Sequence, residues 1–532
     1  MMWQQGWREQ IWSGLDREWD MLVIGGGITG AGVARLAAAC GLEVLLVEAR
    51  DFAFGTSSRS SKLAHGGFRY LYNRQYQVTY ESVQQREELL REAAGLVTPL
   101  AFNLPNYENY HISSVLLHCG VVIYDLMAPK WDHQKLDAEQ VRQKFEHLKT
   151  DDMLACFRYQ DAVLDDARLV LRVIREAAAA GAAALNYARV ENLLRDRTGR
   201  VRGVALRDTA CAPGRTAEVK AKVVVNAGGP WSDEIRANLG QPARLRKLRG
   251  SHLIFDRARL PIPEALTIFH PADGRAMFAL PWEGASLVGT TDVDHAPELE
   301  SGYQEPFASP AETDYILSAL DFLFPSLHLN PADIVSSFAG LRPIINTGAA
   351  TPSKESRAHQ VWNEDGLITI TGGKLTTFRL MARQSVAAAL AECGLERNIP
   401  RRARFIDALS LPETESVDAE MLKFLGGRHG AETGAVLDCA QEGELEPVGL
   451  LPNPWAELRF AARSEGVVHL DDLLLRRVRL GMLLPEGGLA LLPRIRRIVQ
   501  PELGWSDQRW EMEEKEYRRI WKTYYSPAPG KP

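Results

Sequence analysis

Apolar positions in the first fifty residues fall into two short blocks, Met21-Leu-Val-Ile24 and Leu42 to Val47. A continuous apolar run bounded by glycine suits a strand buried on both faces of a parallel sheet. Between the blocks, Ile28 to Cys40 places small and apolar residues all round, as expected of a helix packed on that sheet. The segment therefore predicts one βαβ unit. Past Gln75 the pattern turns charged and helical through Glu92, and Pro99 and Pro105 interrupt the residues after it. Ala167 to Ala180 predicts a helix ended by Gly181. Residues 182 to 209 predict paired strands around Asp196-Arg-Thr-Gly199, and Val223 to Gly228 predicts a buried strand running into glycines. From Arg244 to Phe338, short apolar pieces alternate with Pro261, Pro263, Pro271 and Pro281, a β-rich pattern. Gly366 to Thr371 is strand-like again, Gly372-Gly373 opens a helix to Leu390, and beyond Pro400 Leu, Arg and Glu recur at helical spacing.

These elements predict an α/β chain with three parts. A discontinuous Rossmann-like domain takes 18–90, 150–235 and 336–395; a β-rich cap takes 91–149 and 236–335; a C-terminal helical domain takes 400–525. The length of 532 residues supports more than one core. A net charge of −6, from 62 basic and 68 acidic residues, offers no general attraction to nucleic acid, so none is expected as a partner. Six scattered cysteines without a CxxC pair fit neither a zinc site nor a disulfide framework and point to a reducing cytoplasm. The tryptophan-rich, charged start lacks the apolar core of a secretory signal, so no cleaved leader is expected. No stretch approaches the ~20 apolar residues that span a bilayer. The strongest, Ile112 to Met127, is interrupted by His118 and Asp125, which leaves peripheral contact with the cytoplasmic face of a membrane open. A homodimer is likewise left open.

The spacing Gly25-x-Gly27-x-x-Gly30 follows a predicted strand and opens a predicted helix. Its glycines serve a tight turn, close approach of backbone to pyrophosphate, and close packing of helix on strand. Gly25, Gly27, Ile28, Thr29 and Gly30 are therefore candidate dinucleotide contacts, with pyrophosphate at the helix N-terminus. Glu48, ending the second strand, can accept bonds from ribose hydroxyls and would repel a 2′-phosphate. A second strand ending in Asn226-Ala-Gly-Gly-Pro-Trp231 adds Ala227 and Gly228 and favours FAD over NAD. Thr56, Ser57, Ser61 and Lys62 supply hydroxyls and a cation for phosphate. His65, Gly66 and Gly67 could lie against the isoalloxazine ring. Gly373, Lys374, Leu375 and Thr376 join a late strand to a helix whose N-terminus could face the flavin N1–C2=O edge and favour reduced flavin. No metal site is indicated.

Taken together, Ile24-Gly-Gly-Gly-Ile-Thr-Gly-Ala-Gly32, Thr56-Ser-Ser…Ser-Ser-Lys62, His65-Gly-Gly-Phe-Arg-Tyr-Leu71, Asp165-Asp-Ala-Arg-Leu169, Asn226 to Trp231, Gly250-Ser-His252, Gly289-Thr-Thr-Asp292, Gly340-Leu-Arg-Pro343 and Gly372-Gly-Lys-Leu-Thr-Thr377 resemble FAD-dependent glycerol-3-phosphate dehydrogenase, in the family's order over roughly residues 20 to 390. Leu470 to Leu480 resembles its helical domain. The resemblance implies an FAD-binding domain, a substrate cap, and oxidation of sn-glycerol 3-phosphate to dihydroxyacetone phosphate, with hydride passing from C2 to flavin N5 and electrons to a membrane quinone. An oxygen-using oxidase and a non-catalytic flavoprotein are the alternatives. In the matching motifs Arg69, Arg342 and Lys374 suit the phosphate, and Tyr70 the substrate. His65 and His252 are candidate bases, and Arg342 suits a developing alkoxide. Ala339 stands where the family often has a hydroxyl residue, a departure that removes no charge.

Overall fold

Glu18–Ile24 forms the first strand and pairs in parallel with Val44–Val47 on one side and Thr216–Asn226 on the other. The computed structural model describes residues 3–67, 76–110, 113–128, 132–211, 213–295, 305–348, 358–409 and 411–527. Among them the first sheet runs Gln360–Glu364, Leu367–Thr371, Thr216–Asn226, Glu18–Ile24, Val44–Val47, Ala183–Leu185, with the hairpin Ala188–Arg195 and Val201–Asp208 branching from Thr216–Asn226. Its central strands are buried on both faces: Val23, Leu46 and Val225 have no exposure, as parallel pairing requires.

The helix Ile28–Ala39 packs on this sheet and against two further helices, Asp166–Ala179 and Phe378–Cys393. Its small residues permit that crowding. A Cβ on Gly30 would lie 1.9 Å from the Gly25 carbonyl oxygen, and one on Gly32 would lie 2.8 Å from the Phe378 ring.

A second sheet orders Val293–Asp294, Leu245–Asp256, Ala285–Gly289, Ala276–Trp282, Ala265–Phe269, Val97–Tyr107, Met153–Leu164 and Leu63–Ala64, with Ile334–Ile345 and Gln134–Leu136 attached. Two expected boundaries change here. Chain order puts Met153–Leu164 in the Rossmann-like part, yet it pairs along its length with Val97–Tyr107. Ile334–Ile345 pairs from Leu245 to Phe255 with the long strand of the cap. Both are twelve-residue strands whose backbone groups find antiparallel partners only in the second sheet. Order along the chain assigns them to the wrong layer.

The C-terminal part is helical, as expected, and it is tied to the cofactor domain by buried charge. Arg477 donates to both oxygens of Asp51 (2.6 and 2.8 Å), and Arg476 donates to Asp51 at 2.5 Å. Arg479 reaches Asp165 and Asp166. These arginines underpin the loop that carries Thr56 to Lys62 toward the large cavity between the two sheets.

Candidate active site

One cavity of about 1050 Å³ opens where the C-terminal ends of the parallel strands meet the second sheet. That is the place open α/β sheets hold ligands. The volume lies at the upper end of the roughly 300–1,000 Å³ usual for ligand sites, room for a dinucleotide beside a small substrate. Gly25, Gly27, Ile28, Thr29 and Glu48 line one wall, with Thr56, Ser57, Ser61, His65, Gly67, Ala227, Gly228, Gly373, Lys374, Leu375 and Thr376. His252, Phe278 and Arg342 add to the lining from strands of the second sheet, with Thr290 and Asp292 just beyond Ala285–Gly289.

The dinucleotide wall is built from backbone. Gly25 sits at φ +110°, and a Cβ there would come within 2.5 Å of the Ala227 carbonyl oxygen. Ile28 N–H donates to Ser57 Oγ (3.0 Å), tying the helix N-terminus to the hydroxyl loop. Glu48 accepts from Gly26 N–H at 2.7 Å and from Arg50 N–H at 2.9 Å. Burial pushes its carboxyl pKa up, against those two amide bonds. Each carboxylate oxygen still has a second lone pair for a ribose hydroxyl. At the other end, Gly372 and Gly373 have positive φ and lead into a tight turn, Leu375–Thr377, before the Phe378–Cys393 helix begins. This cradle of glycine backbone, helix N-terminus and strand-end acid fits FAD.

On the second-sheet side, glycines make room for the polar groups. Arg342 leaves the Ile334–Ile345 strand and passes over Gly250, where a Cβ would lie 2.3 Å from its Nη2. It donates to Thr290 Oγ1 (2.9 Å), the Thr291 carbonyl oxygen (3.1 Å) and Asp292 Oδ1 (3.0 Å). His252 is buried, stacks on Phe338 with ring centres 4.7 Å apart, and shares a 2.9 Å hydrogen bond between Nε2 and Ser61 Oγ. A Cβ on Gly289 would meet its Cδ2 at 2.3 Å. Burial, then Arg342 and Lys62, hold His252 well below the ordinary histidine pKa, so it is neutral. Its buried Nδ1 has no hydrogen-bond partner among the described residues. His65 lies at the same cavity, its ring tilted on Phe278 with centres 5.9 Å apart.

Three candidates sit elsewhere. Lys62 is expected to contact cofactor phosphate, but it is fully buried and donates to Asp166 (2.9 Å) and the Ser58 carbonyl oxygen (2.6 Å). Burial, opposed by Asp166, lowers its pKa to about 8. Gly30 lies behind the cavity as a packing glycine. The Gly66 amide is spent on Tyr124 Oη (2.8 Å) and Asp161 (3.2 Å), and no Gly66 atom lines the cavity. Arg69 and Tyr70 lie outside the described residues. Lys374 lines the cavity and donates from Nζ to Ser82 Oγ (3.0 Å).

Five charged residues at this cavity, Arg59, Asp161, Asp273, Arg275 and Asp292, are absent from the sequence-based candidates. Asp292 ends the Gly289-Thr-Thr-Asp292 motif, and the Asp273-Gly274 pair marks the turn that delivers Arg275.

Residues 20–388 match the family of FAD dependent oxidoreductases, and 369–510 match the C-terminal domain of alpha-glycerophosphate oxidase. The aerobic glycerol-3-phosphate dehydrogenase of Staphylococcus epidermidis is 33% identical over 491 residues, 87% of each chain. The crystal structure of the glycerol-3-phosphate dehydrogenase of Bacillus halodurans, complexed with FAD, superposes with a TM-score of 0.77 at 30% identity, covering 98% of each chain. The FAD-bound L-alpha-glycerophosphate oxidase of Mycoplasma pneumoniae has a TM-score of 0.56 at 18% identity, covering 73% of this chain and 98% of that one, a likeness of fold.

Proposed function

The chain belongs to the FAD-dependent glycerol-3-phosphate dehydrogenase and oxidase family, and from that premise we propose that it oxidises sn-glycerol 3-phosphate to dihydroxyacetone phosphate and passes the electrons to a quinone. When bound, FAD supplies the two-electron acceptor at the cavity. The carrying observation is the pairing of a neutral, buried His252 with the fixed guanidinium of Arg342 on one wall of that cavity.

Oxidation at C2 requires a hydroxyl proton to leave. His252 lines the cavity as a neutral imidazole, which can accept a proton at physiological pH, and its Nε2 shares a 2.9 Å hydrogen bond with Ser61 Oγ, a second cavity-lining group. Arg342 steadies the charge that develops on the C2 oxygen, and its three bonds hold the fork in place beforehand. Lys374, with Arg69 and Tyr70, receives the phosphate end. His65 closes the wall beside Phe278. Gly25, Gly27, Ile28, Thr29, Glu48, Thr56, Ser57 and the Gly373–Thr376 turn hold the dinucleotide.

An apolar helix supports the quinone. Ser114–Leu126 places Leu117 in the cavity wall while exposing Val115 (73%), Leu116, Ile123 and Leu126 (67%) outside. Such a face suits shallow insertion among lipids, from which a quinone could approach. Among the described residues no helix is long and apolar enough to cross a membrane, so contact would be peripheral. The six unpaired thiols support the cytoplasmic side.

Anaerobic sn-glycerol 3-phosphate should bleach the flavin of the purified protein, and persistence of oxidised flavin would sink the reading. With substrate in air, a quinone analogue should be reduced faster than peroxide forms; the reverse makes the protein an oxidase. Sedimentation with anionic liposomes, lost in Leu116→Asp, would place the apolar helix at the membrane.

A further inference from the structure

Resting on that reading of the substrate, we propose that Arg275 is a further substrate-binding residue, the second guanidinium of a two-arginine clamp that grips the phosphate of glycerol 3-phosphate. Asp292 is the pivot. Its side chain is buried, with Oδ1 accepting from Arg342 Nη1 at 3.0 Å and Oδ2 lying 3.1 Å from Arg275 Nη1. Each arginine takes a different oxygen of it. Arg342 crosses over Gly250, and Arg275 comes from the turn that precedes the strand Ala276–Trp282.

Within this trio one carboxylate stands between two guanidiniums, and all three residues line the cavity. Asp273 lines the cavity too, 3.8 Å from Arg275 Nε, so the two arginines and two carboxylates balance in formal charge, and an incoming phosphate would replace that longer contact. A phosphate monoester carries close to two negative charges at neutral pH and presents oxygens that paired guanidiniums can each bind. Lys374 meets the phosphate from the cofactor side, and Arg275 adds a guanidinium to that of Arg342 from the cap.

The turn is built to hold Arg275 still. His270 stacks on Tyr315 with ring centres 3.7 Å apart, shares its Nε2 with the Tyr315 carbonyl oxygen (2.9 Å) and Ser318 Oγ (3.2 Å), and accepts from Ala272 N–H at Nδ1 (3.1 Å). Asp273 Oδ1 accepts from Arg275 N–H (3.0 Å) and Tyr315 Oη (2.9 Å). The tip of the hairpin is thus pinned to the helix Pro310–Leu323. A cation held this way loses little freedom when it meets an anion.

The test uses the FAD-loaded full chain with Arg275→Gln and Arg275→Lys. Anaerobic flavin reduction by sn-glycerol 3-phosphate gives a half-saturation and a limiting rate, and inorganic phosphate serves as a competitive probe. Loss of one charge-assisted contact should raise the half-saturation and weaken phosphate binding by about tenfold or more in R275Q, with the limiting rate within about threefold of wild type. R275K should recover part of the loss. Unchanged half-saturation and phosphate binding overturn the clamp. So does a fallen limiting rate at unchanged half-saturation, because Arg275 would then act only by positioning Arg342. If glycerol 3-phosphate fails to reduce even the wild type, the substrate reading falls. The phosphate arm still judges Arg275, since equal phosphate binding by wild type and R275Q overturns the clamp by itself.

Discussion

Gly250→Ala isolates the role of Arg342 without touching the arginine. The backbone at Gly250 is extended strand with no positive φ, so alanine adds only a methyl group. That carbon would lie 2.3 Å from Arg342 Nη2, 2.7 Å from its Cζ and 2.6 Å from Thr290 Oγ1, all under the 3.0 Å that Cβ contacts respect. Strand pairing fixes Gly250 opposite Gly340, so the guanidinium is what must move. Moving it breaks the Nη2 bond to Thr290 and misaligns the Nη1 bonds to Thr291 and Asp292, each bond to a charged group contributing about 1.5–3 kcal/mol. The loss felt at the C2 oxygen is that of one preorganised donor, about 2.7–4 kcal/mol, or a 10²–10³-fold fall in rate. Anaerobic stopped-flow bleaching of the flavin should therefore slow about a hundredfold in G250A while flavin content stays at the wild-type value. If G250A acts through Arg342, adding it to Arg342→Ala should cost no more than about a further twofold. A limiting rate in G250A within about threefold of wild type would refute the argument, and so would a double variant whose two losses multiply.

Asp51→Asn leaves Arg476 and Arg477 buried without their carboxylate; burial alone would raise the Asp51 pKa, and the two arginines instead draw it to about 2. Breaking such a pair costs about 3–5 kcal/mol, so denaturant should unfold D51N at a clearly lower concentration, and an unchanged midpoint would remove the C-terminal domain as the anchor of the cofactor loop. For His252, the acid limb of limiting rate against pH should fall below the ordinary histidine value of about 6.5, because burial first, then Arg342 and Lys62, depress its pKa. Between the two pKa values the folded chain binds fewer protons than the unfolded one. The stability His252 contributes is therefore complete above about pH 6.5 and is lost as pH falls from there toward the folded pKa. An acid limb in His252→Gln identical to wild type would show that another group titrates. Gly25→Ala combines φ +110° with a Cβ 2.5 Å from the Ala227 carbonyl oxygen, neither relieved by a rotamer, so the purified variant should lack flavin. Full flavin occupancy would contradict the backbone cradle.

The βαβ unit is legible in the sequence because each of its constraints is local. Strand, turn and helix at Met21 to Cys40 follow from apolar runs and glycine spacing, and they fold as Glu18–Ile24 and Ile28–Ala39. The layer to which a strand belongs is a non-local fact. Met153–Leu164 and Ile334–Ile345 carry ordinary strand patterns, and only their partners Val97–Tyr107 and Leu245–Asp256 assign them to the second sheet. Their sequence neighbours point to the first. The turn carrying Arg275 is equally readable as a turn, but its importance lies in Asp292, seventeen residues on and brought alongside by the pairing of Ala276–Trp282 with Ala285–Gly289.

Lys62 and Lys374 show where residue type stops being informative. Each belongs to a cluster of small or hydroxyl residues near the cavity, and a phosphate site would accept either. Lys62 belongs to a loop that turns inward onto Asp166, in a region where Asp165, Asp166 and Arg479 already exchange charge without solvent. An ammonium there could not also meet a ligand without stripping Asp166 of a partner at zero exposure, a loss that buried pairs do not tolerate. Lys374 lines the cavity itself and bonds to the hydroxyl of Ser82. A place in the cavity wall for one lysine and a buried carboxylate for the other divide the two roles. That difference depends on which helix each loop meets: Asp166–Ala179 for Lys62, and Tyr76–Glu92 for Lys374. Lys374 is thus the lysine that lines the cavity, where Arg275 and Arg342 share the carboxylate of Asp292.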